Sequence, residues 1–495
     1  MRVSGILLHP TSLPGAHGIG DLGEWAFRFA DFLSDGGQGL WQVLPLGPPA
    51  EANSPYKACS SMAGNPLLIS LDSLAREGLL SRADLEGAPL FPAESVDFVA
   101  VAAFKWRLLE QASRAFFAGG PGPHLREFEQ FCMEKGFWLD QFARFAALRD
   151  ENGGSLWTEW DRNRNPDPAR VLLHKYIQFE FFRQWHALKG YCHERGIRIL
   201  GDLPIFVAHD SADVWGNPGL FDLDEHGNPR MIAGVPPDYF SATGQLWGNP
   251  LYRWDAMERA GYQWWIDRVR CMLEQVDLIR IDHFRGFEKY YEIPAGSMTA
   301  IHGRWVEGPG DRFFEALSRV FGRLPFIAED LGMITSEVLA LRDRWGFPGM
   351  RVLQFAFADD SPSNPFKPYN YVRNCIVYTG THDNDTTVGW FRGTSEGEII
   401  QTEEQLRAER ESALLYLHSD GVEIHWDFIR AAVGSVADTA VFPLQDVLGL
   451  GSEARMNLPS RAENNWRWRF LPHQLKPELS SRLRQLGQTY GRLTQ

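Results

Sequence analysis

The chain contains the segment Leu278-Ile279-Arg280-Ile281-Asp282-His283-Phe284, in which an apolar run ends in a carboxylate. Two further segments, Ala328-Glu329-Asp330-Leu331-Gly332 and Thr381-His382-Asp383-Asn384-Asp385, have the same arrangement. Short continuous apolar runs are typical of buried strands, so each acid is expected where a strand ends. One such acid is more often a helix N-cap or a surface ion pair. Three in the same position predict one shared site.

Eight short apolar runs followed by turn residues are predicted to be strands. They are residues 5–10, 39–48, 197–207, 276–287, 324–332, 350–357, 375–381 and 439–450. Their interiors do not alternate with polar residues, which indicates parallel strands covered on both faces. Helical stretches lie between most of the runs. The pattern predicts an α/β fold, the (β/α)8 or TIM barrel, with Asp282, Glu329 and Asp383 at the carboxyl ends of strands four, five and seven, where such barrels place their catalytic groups.

The length of 495 residues exceeds the roughly 250 of a plain barrel, so we expect large insertions at the carboxyl face of the strands. We interpret residues 1–495 as one catalytic unit. Residues 49–168 are predicted to form a mainly helical insertion between strands two and three. Residues 208–260 are predicted to form a loop-rich insertion after strand three. Within it, 234–250 has Pro236-Pro237 to stiffen it and glycines to hinge it, which predicts a mobile active-site loop.

The composition excludes several classes of partner. There are 63 acidic and 49 basic residues, a net charge of −14 that repels phosphate backbones and anionic lipids. We therefore expect no nucleic-acid and no membrane partner. Five scattered cysteines do not indicate a disulfide framework, and neither a signal segment nor a bilayer-spanning stretch is evident, which predicts a cytoplasmic protein.

No cofactor-binding motif in the sequence is accompanied by the secondary structure or residue spacing that it requires. Residues 449–454 match a dinucleotide fingerprint, but Pro459 would stop the helix that the motif requires. The sequence has no His-Glu-x-x-His, paired-cysteine or calcium-loop pattern. We expect neither a cofactor nor a required metal.

The aromatic residues point to a carbohydrate ligand. There are 18 Trp, 33 Phe and 13 Tyr, and the core explains most of the Phe. Several others fall in predicted loops, namely Tyr56, Trp215, Tyr239, Trp247 and Tyr252. Sugars present flat C–H faces that stack on aromatic rings and hydroxyl edges that bind Asp, Asn, Gln and Arg. The predicted loops carry both kinds of residue.

Sequence motifs along essentially the whole chain resemble one known family. Leu8-His9-Pro10-Thr11-Ser12-Leu13-Pro14-Gly15, Ser54-Pro55-Tyr56 and Arg280-Ile281-Asp282-His283 are three of them. The others lie at 18–23, 41–48, 201–207, 234–240, 244–250 and 381–383. Together they resemble the 4-α-glucanotransferases, the amylomaltase or disproportionating-enzyme family of the α-amylase clan. One departure is Ser460, where the family commonly has Gly after the proline.

The resemblance implies a retaining glycosyltransferase, a 4-α-glucanotransferase, that works through a covalent glucosyl-enzyme. Asp282 would be the nucleophile, with Arg280 keeping it ionised. Glu329 would be the acid/base, which needs a raised pKa. Asp383 would stabilise the transition state, with His382 on the same sugar. Asp202 is expected to orient its neighbours.

Substrate-binding roles are implied for a second set of residues. Besides Arg280 and His382, they are Tyr56, Ser54, Asp238, Gln245, Trp247, Asp359 and Asn457. The implied substrates are α-1,4-glucans, meaning maltooligosaccharides and starch or glycogen chains, with glucose as an acceptor and ring formation as a further outcome.

Two alternatives remain open from the sequence. An amylase-type α-1,4-glucan hydrolase would share every catalytic residue. It would differ in whether the loop-covered site lets water react with the intermediate. A non-catalytic glucan-binding protein would be expected to lack one of Asp282, Glu329 and Asp383, and all three are present.

Overall fold

A computed structural model describes residues 2–120, 122–161, 163–237, 243–393, 402–459 and 461–493. Within these ranges the strands, numbered in chain order, are β1 (Val3–Leu7), β2 (Leu40–Gln42), β3 (Arg198–Pro204), β4 (Met231–Val235), β5 (Gln245–Pro250), β6 (Leu278–Asp282), β7 (Lys289–Pro294), β8 (Arg304–Glu307), β9 (Phe326–Ala328), β10 (Gly349–Val352), β11 (Cys375–Tyr378) and β12 (Thr439–Pro443).

The helices are α1 (Glu24–Asp35), α2 (Leu71–Arg76), α3 (Arg82–Glu86), α4 (Phe98–Ala118), α5 (Pro123–Glu151), α6 (Pro168–Glu194), α7 (Ala212–Gly216), α8 (Trp254–Arg259), α9 (Gln263–Gln275), α10 (Asp311–Phe321), α11 (Ser336–Arg344), α12 (Thr387–Arg392), α13 (Glu403–Leu417), α14 (Ile424–Gly434), α15 (Leu444–Leu448) and α16 (Pro477–Thr489). In the ranges given above, the structure has no helix that combines the length and apolarity needed to cross a membrane.

Eight of the strands close a parallel barrel in the order β1-β12-β11-β10-β9-β6-β3-β2. The predicted (β/α)8 barrel is confirmed, and each of the eight predicted runs overlaps one barrel strand. The runs were predicted too long at their carboxyl ends. Residues 444–448 form α15 and residues 353–356 a 3-10 turn, both nearly as apolar as the strands they follow. Apolarity alone does not distinguish a buried strand from a buried helical turn.

The barrel register brings the acids to one end. On β3 and β6, Asp202 pairs with Arg280 and Pro204 with Asp282. On β6 and β9, Ile281 pairs with Ala328, so Glu329 follows directly opposite Asp282. Parallel strands end at the same rim, and this register sets the acids side by side.

The connection between β2 and β3 is mostly helical and runs through α2 to α6. The helices α4, α5 and α6 pack together through aromatic side chains, for example Phe116 and Phe128 with ring centroids 5.9 Å apart and Phe128 and Phe179 at 5.7 Å. On α6, the helical spacing of Leu172, Tyr176, Phe179 and Phe182 predicts a packing stripe, and Tyr176, Phe179 and Phe182 are buried, whereas Leu172 is 39 % exposed.

A second sheet stands beside the barrel. It is antiparallel, in the order β5-β4-β7-β8. Its strands β4 and β5 lie in the segment predicted to be loop-rich. They were not predicted as strands because glycines and prolines are frequent there. Gly234 lies on β4 next to a bulge. This position requires glycine, because a Cβ would approach the Gln245 carbonyl oxygen to 2.2 Å.

Candidate active site

A buried ion-pair cluster lies at the carboxyl ends of β3 and β6. Arg280 Nη1 donates to both carboxylate oxygens of Asp202 at 2.7 Å, and its Nη2 lies 2.9 Å from Asp282 Oδ1. Residues two apart on a strand point to the same face, which is why Arg280 reaches Asp282. The rigid guanidinium fork serves two carboxylates at once, and Asp202 orients it as expected.

The surroundings of Asp282 shift its pKa in opposing directions. Its pKa is raised to about 6, chiefly by burial and also by the charges of Asp202 and Asp383, while Arg280 acts to lower it. Arg280 acts in the direction that favours the ionised carboxylate, but burial outweighs it. The carboxylate still meets solvent, with 30 % of its side chain exposed, as a group that must reach a ligand requires.

Glu329 is held by backbone donors. Its Oε2 accepts from the His283 N–H and its Oε1 from the Leu331 N–H, each at 2.8 Å. Burial raises the pKa of Glu329 to about 7, the charge of Asp282 raises it too, and Arg280 and the two N–H groups oppose this. Two neighbouring carboxyls with separated pKa values can take the separate roles of proton donor and ionised nucleophile.

His283 contributes through its backbone. Its φ is 53°, in the left-handed region that histidine adopts more readily than most residues, and this turn points its N–H at Glu329. Its ring meets Trp247 of β5 edge-on, with centroids 4.7 Å apart. Sequence reasoning assigned His283 no role. The signal available was its place directly after a strand-ending acid.

Asp383 is fixed from one side by the loop after β12. Asn457 Nδ2 donates to Asp383 Oδ1 at 2.7 Å, and Arg455 Nη2 donates to the Asp383 carbonyl at 2.7 Å. The Asn457 N–H donates to the His382 carbonyl at 3.1 Å. His382 Nε2 lies 3.4 Å from Asp383 Oδ2, and the Asp383 side chain is 46 % exposed. Asp383 Oδ1 is therefore anchored by the Asn457 amide, while Oδ2 lies near the His382 ring on a side chain that remains partly exposed.

An aromatic cluster adjoins these acids. Tyr56 donates its hydroxyl to Asp202 Oδ2 at 2.8 Å and stacks on His382, with centroids 5.1 Å apart and planes 17° apart. Trp466 lies 5.8 Å from Tyr56 and 6.0 Å from His382. Trp466 was missed because it sits in a loop without strand signal, more than 80 positions along the chain from Asp383.

The remaining predicted residues differ in their placement. Ser54 Oγ accepts the Tyr56 N–H at 3.3 Å, and Gln245 Oε1 accepts the Trp247 indole N–H at 3.0 Å, so both support other site residues. Asp359 is exposed and accepts from Ser361 and Asn364 within its own loop, which leaves its contact with a ligand a prediction. Asp238 lies outside the described residues.

In the described ranges, no three His, Cys, Asp or Glu side chains are arranged as metal ligands. The acids that converge here are instead engaged by arginine, backbone N–H groups and an amide.

Comparison with known proteins gives a consistent result. A family model described as 4-alpha-glucanotransferase matches residues 8–474. A protein of that name from Synechocystis sp. is 50 % identical, covering 99 % of this chain and 98 % of the relative. Another from Thermus thermophilus is 48 % identical, covering 99 % of each. The solved structure of an amylomaltase from Streptococcus agalactiae in complex with acarbose superposes with a TM-score of 0.93 at 36 % identity, covering both chains fully.

Proposed function

Since the chain belongs to the 4-alpha-glucanotransferase family and is thus an enzyme that transfers glucan segments, we propose that it does so through a covalent intermediate on Asp282. The observation that supports this most is the pair of adjacent carboxyls, Asp282 against Arg280 and Glu329 against backbone N–H groups. This arrangement supports a reaction in which one carboxyl acts ionised and the other supplies a proton.

In the first step Glu329 gives its proton to the glycosidic oxygen while Asp282 attacks the anomeric carbon. The bond from that carbon to the oxygen breaks, and a β-linked glucosyl-enzyme forms. In the second step the 4-hydroxyl of an acceptor glucan loses its proton to Glu329, attacks the same carbon and releases Asp282. The linkage broken and the linkage made are both α, because two inversions retain the configuration.

Asp383 would bind the hydroxyls of the sugar at the reacting position. Its partial exposure supports this role, since Asn457 bonds only one of its two oxygens and 46 % of the side chain is exposed. A carboxylate fixed in this way stabilises the positive charge that develops on the ring in the transition state. Tyr56, stacked on His382, would provide the aromatic wall for the same ring, with its hydroxyl fixed by Asp202.

The substrates we propose are α-1,4-glucans, from maltooligosaccharides to starch or glycogen chains, with glucose able to serve as an acceptor. The segment 234–250 would govern whether water or a glucan resolves the intermediate. Trp247 supports this proposal because it contacts His283, whose N–H holds the acid/base. A ring in that position would cover the sugar and exclude water.

The test is to incubate the pure protein with maltotriose, without added metal, and to follow the oligosaccharide ladder together with the total reducing ends. Transfer gives glucose plus longer maltosaccharides at constant reducing ends. Reducing ends that rise without longer products would instead identify a hydrolase, and an unchanged substrate would reject both activities.

A further inference from the structure

Arg455 joins the loop that carries Asp383 to the segment that carries Asn457. Its Nη2 donates to the Asp383 carbonyl at 2.7 Å, and its Nε donates to the Asn457 carbonyl at 2.8 Å. Asn457 in turn donates its side-chain Nδ2 to Asp383 Oδ1 at 2.7 Å and its backbone N–H to the His382 carbonyl at 3.1 Å. One guanidinium therefore fixes the backbone of Asp383 together with the backbone of the residue whose amide holds the Asp383 carboxylate.

This bridge requires the geometry of an arginine. A guanidinium donates from several nitrogens in one rigid plane, whereas a lysine ammonium is a compact charge on a flexible stem. Nε and Nη2 form one edge of that plane, and here they serve two different carbonyls. Burial lowers the pKa of Arg455, and the charges of Asp385 and Asp383 oppose this. The two carboxylates therefore favour the charged form of the guanidinium.

The backbone on which Arg455 lies is anchored independently of its side chain. Gln445 Nε2 on α15 donates to the Ala454 carbonyl at 3.1 Å, directly before Arg455. The Trp466 N–H donates to the carbonyl of the buried Met456, directly after it, at 2.7 Å. The Arg455 side chain thus extends from a fixed backbone and can transmit that position to Asp383.

The ends of the loop 379–387 are held by a different residue. Asp446, fully buried on α15, accepts the hydroxyls of Thr379 at 2.6 Å and Thr387 at 2.8 Å, and the Thr387 N–H at 2.8 Å. These bonds do not involve Arg455, so a change of its side chain leaves both ends of the loop in place. The expected effect is local and falls on the orientation of Asp383 in the middle of the loop.

We propose that Arg455 is a positioning residue for glucan transfer, which orients the Asp383 carboxylate toward the sugar hydroxyls both directly and through Asn457. This inference rests on the proposed function, in which Asp383 acts on the sugar at the reacting position. Interactions that are stronger in the transition state than in the ground state act on kcat rather than on KM. A misaligned Asp383 therefore slows the reaction more than it weakens donor binding.

The experiment measures transfer from maltotriose by the full-length protein and by Arg455→Met, whose unbranched side chain has no donor. We expect kcat to fall roughly 10- to 100-fold and KM to change by less than about threefold. A similar loss should appear with α-maltotriosyl fluoride, because Asp383 acts on the sugar and not on the departing group. Arg455→Lys, which keeps the charge but not the planar fork, should recover part of the lost rate, and it replaces Arg455→Met if that variant folds poorly.

Coupling to Asn457 distinguishes positioning from a purely structural role. In protein that already carries Asn457→Ala, the further change Arg455→Met should lower kcat by less than about threefold, because the amide that Arg455 orients is then absent. The matched control is Arg484→Met. Arg484 on α16 likewise donates from Nε and Nη2 to two backbone carbonyls, at 2.6 and 2.7 Å, but these belong to Asp35 and Ser34 at the end of α1. Its loss should leave kcat and KM unchanged.

A kcat for Arg455→Met within about twofold of the unchanged protein would overturn the inference. So would a loss confined to KM, or an equal loss in the presence and absence of the Asn457 amide. The premise is tested separately by Asp383→Asn, measured in parallel. Full activity of Asp383→Asn would reject the role proposed for Asp383, and failure of the unchanged protein to disproportionate maltotriose would reject the proposed function as a whole.

Discussion

The site residues at the barrel rim and those on the antiparallel sheet beside it differ in burial and in the number of bonds that hold them. At the rim, Arg280 is almost fully buried and bonds two carboxylates at 2.7–2.9 Å, while backbone N–H groups hold Glu329. On the sheet, Gln245 and Trp247 are half-buried, Leu246 is 38 % exposed, and the described contact of Trp247 with the rim is the ring of His283. The rim is built to fix charges, whereas the sheet presents a surface.

The difference separates two parts of the reaction. Removing one partner from a buried ion pair costs about 3–5 kcal/mol because it leaves a buried charge uncompensated, so the rim tolerates little change. Substitutions at half-exposed surface positions usually change stability by less than about 0.5 kcal/mol. We infer that bond cleavage depends on the rim, and that the choice between water and glucan depends on the sheet.

The largest effect is expected from Asp282→Asn. The amide keeps the shape of the carboxylate and leaves the Arg280–Asp202 pair in place, but it cannot attack the anomeric carbon. Transfer from maltotriose should fall by about 10⁴-fold or more, measured as initial rates of glucose and maltosaccharide release.

Asp255→Asn is the matched control, because Asp255 is 61 % exposed on α8, where it pairs with Arg259, and is not part of the rim. It should retain full activity. A residual rate above about one hundredth in Asp282→Asn would show that another group forms the intermediate.

Sequence alone predicted the rim far better than the sheet. Buried parallel strands have an unmistakable apolar pattern, and an acid such as Glu329 at the end of one is visible without coordinates. The pattern does not show contacts that depend on backbone conformation or on distant loops. The left-handed turn at His283 and the place of Trp466 against Tyr56 and His382 are of this kind.

The sheet strands were concealed for a different reason. The strand β4 contains Gly234 and β5 contains Gly248, which weaken a strand signal, and the residues of β7 that pair with β4 come about 60 positions later. The loop aromatics led to a carbohydrate-binding prediction but did not show which part of the structure each residue would join. Trp247 adjoins the rim, whereas Trp215 packs against Phe145 of α5.

A smaller, more selective effect is expected from Glu329→Gln. Loss of a general acid typically costs 10²–10⁴-fold, so maltotriose transfer should fall by about that factor. A donor whose leaving group needs no proton, such as α-maltotriosyl fluoride, should still form the intermediate at a rate within about tenfold of the unchanged enzyme. An equal loss on both donors would show that Glu329 does not protonate the leaving oxygen.

The pH profile tests the same assignment. Burial raises the pKa of Glu329 to about 7, and above that pH the carboxyl is ionised and has no proton to give, so kcat/KM for maltotriose should fall. Asp282, with its pKa raised to about 6, must be ionised to attack, so kcat/KM should fall below that pH as well. In Glu329→Gln acting on the fluoride donor, the alkaline fall should disappear. Its persistence would assign that limb to another group.

The smallest effect, and the one that tests the sheet, is expected from Trp247→Ala. If the ring covers the intermediate, its loss admits water, and the ratio of hydrolysis to transfer should rise roughly three- to tenfold while total cleavage changes less than tenfold. New reducing ends and glucose from maltotriose, measured in the same tube, give both rates. The neighbour Leu246→Ala is the control, because adjacent residues on a strand face opposite sides, and its ratio should stay constant. Equal ratios of hydrolysis to transfer in both variants would show that the ring of Trp247 does not exclude water. The inference that the sheet determines the choice between water and glucan would then be wrong.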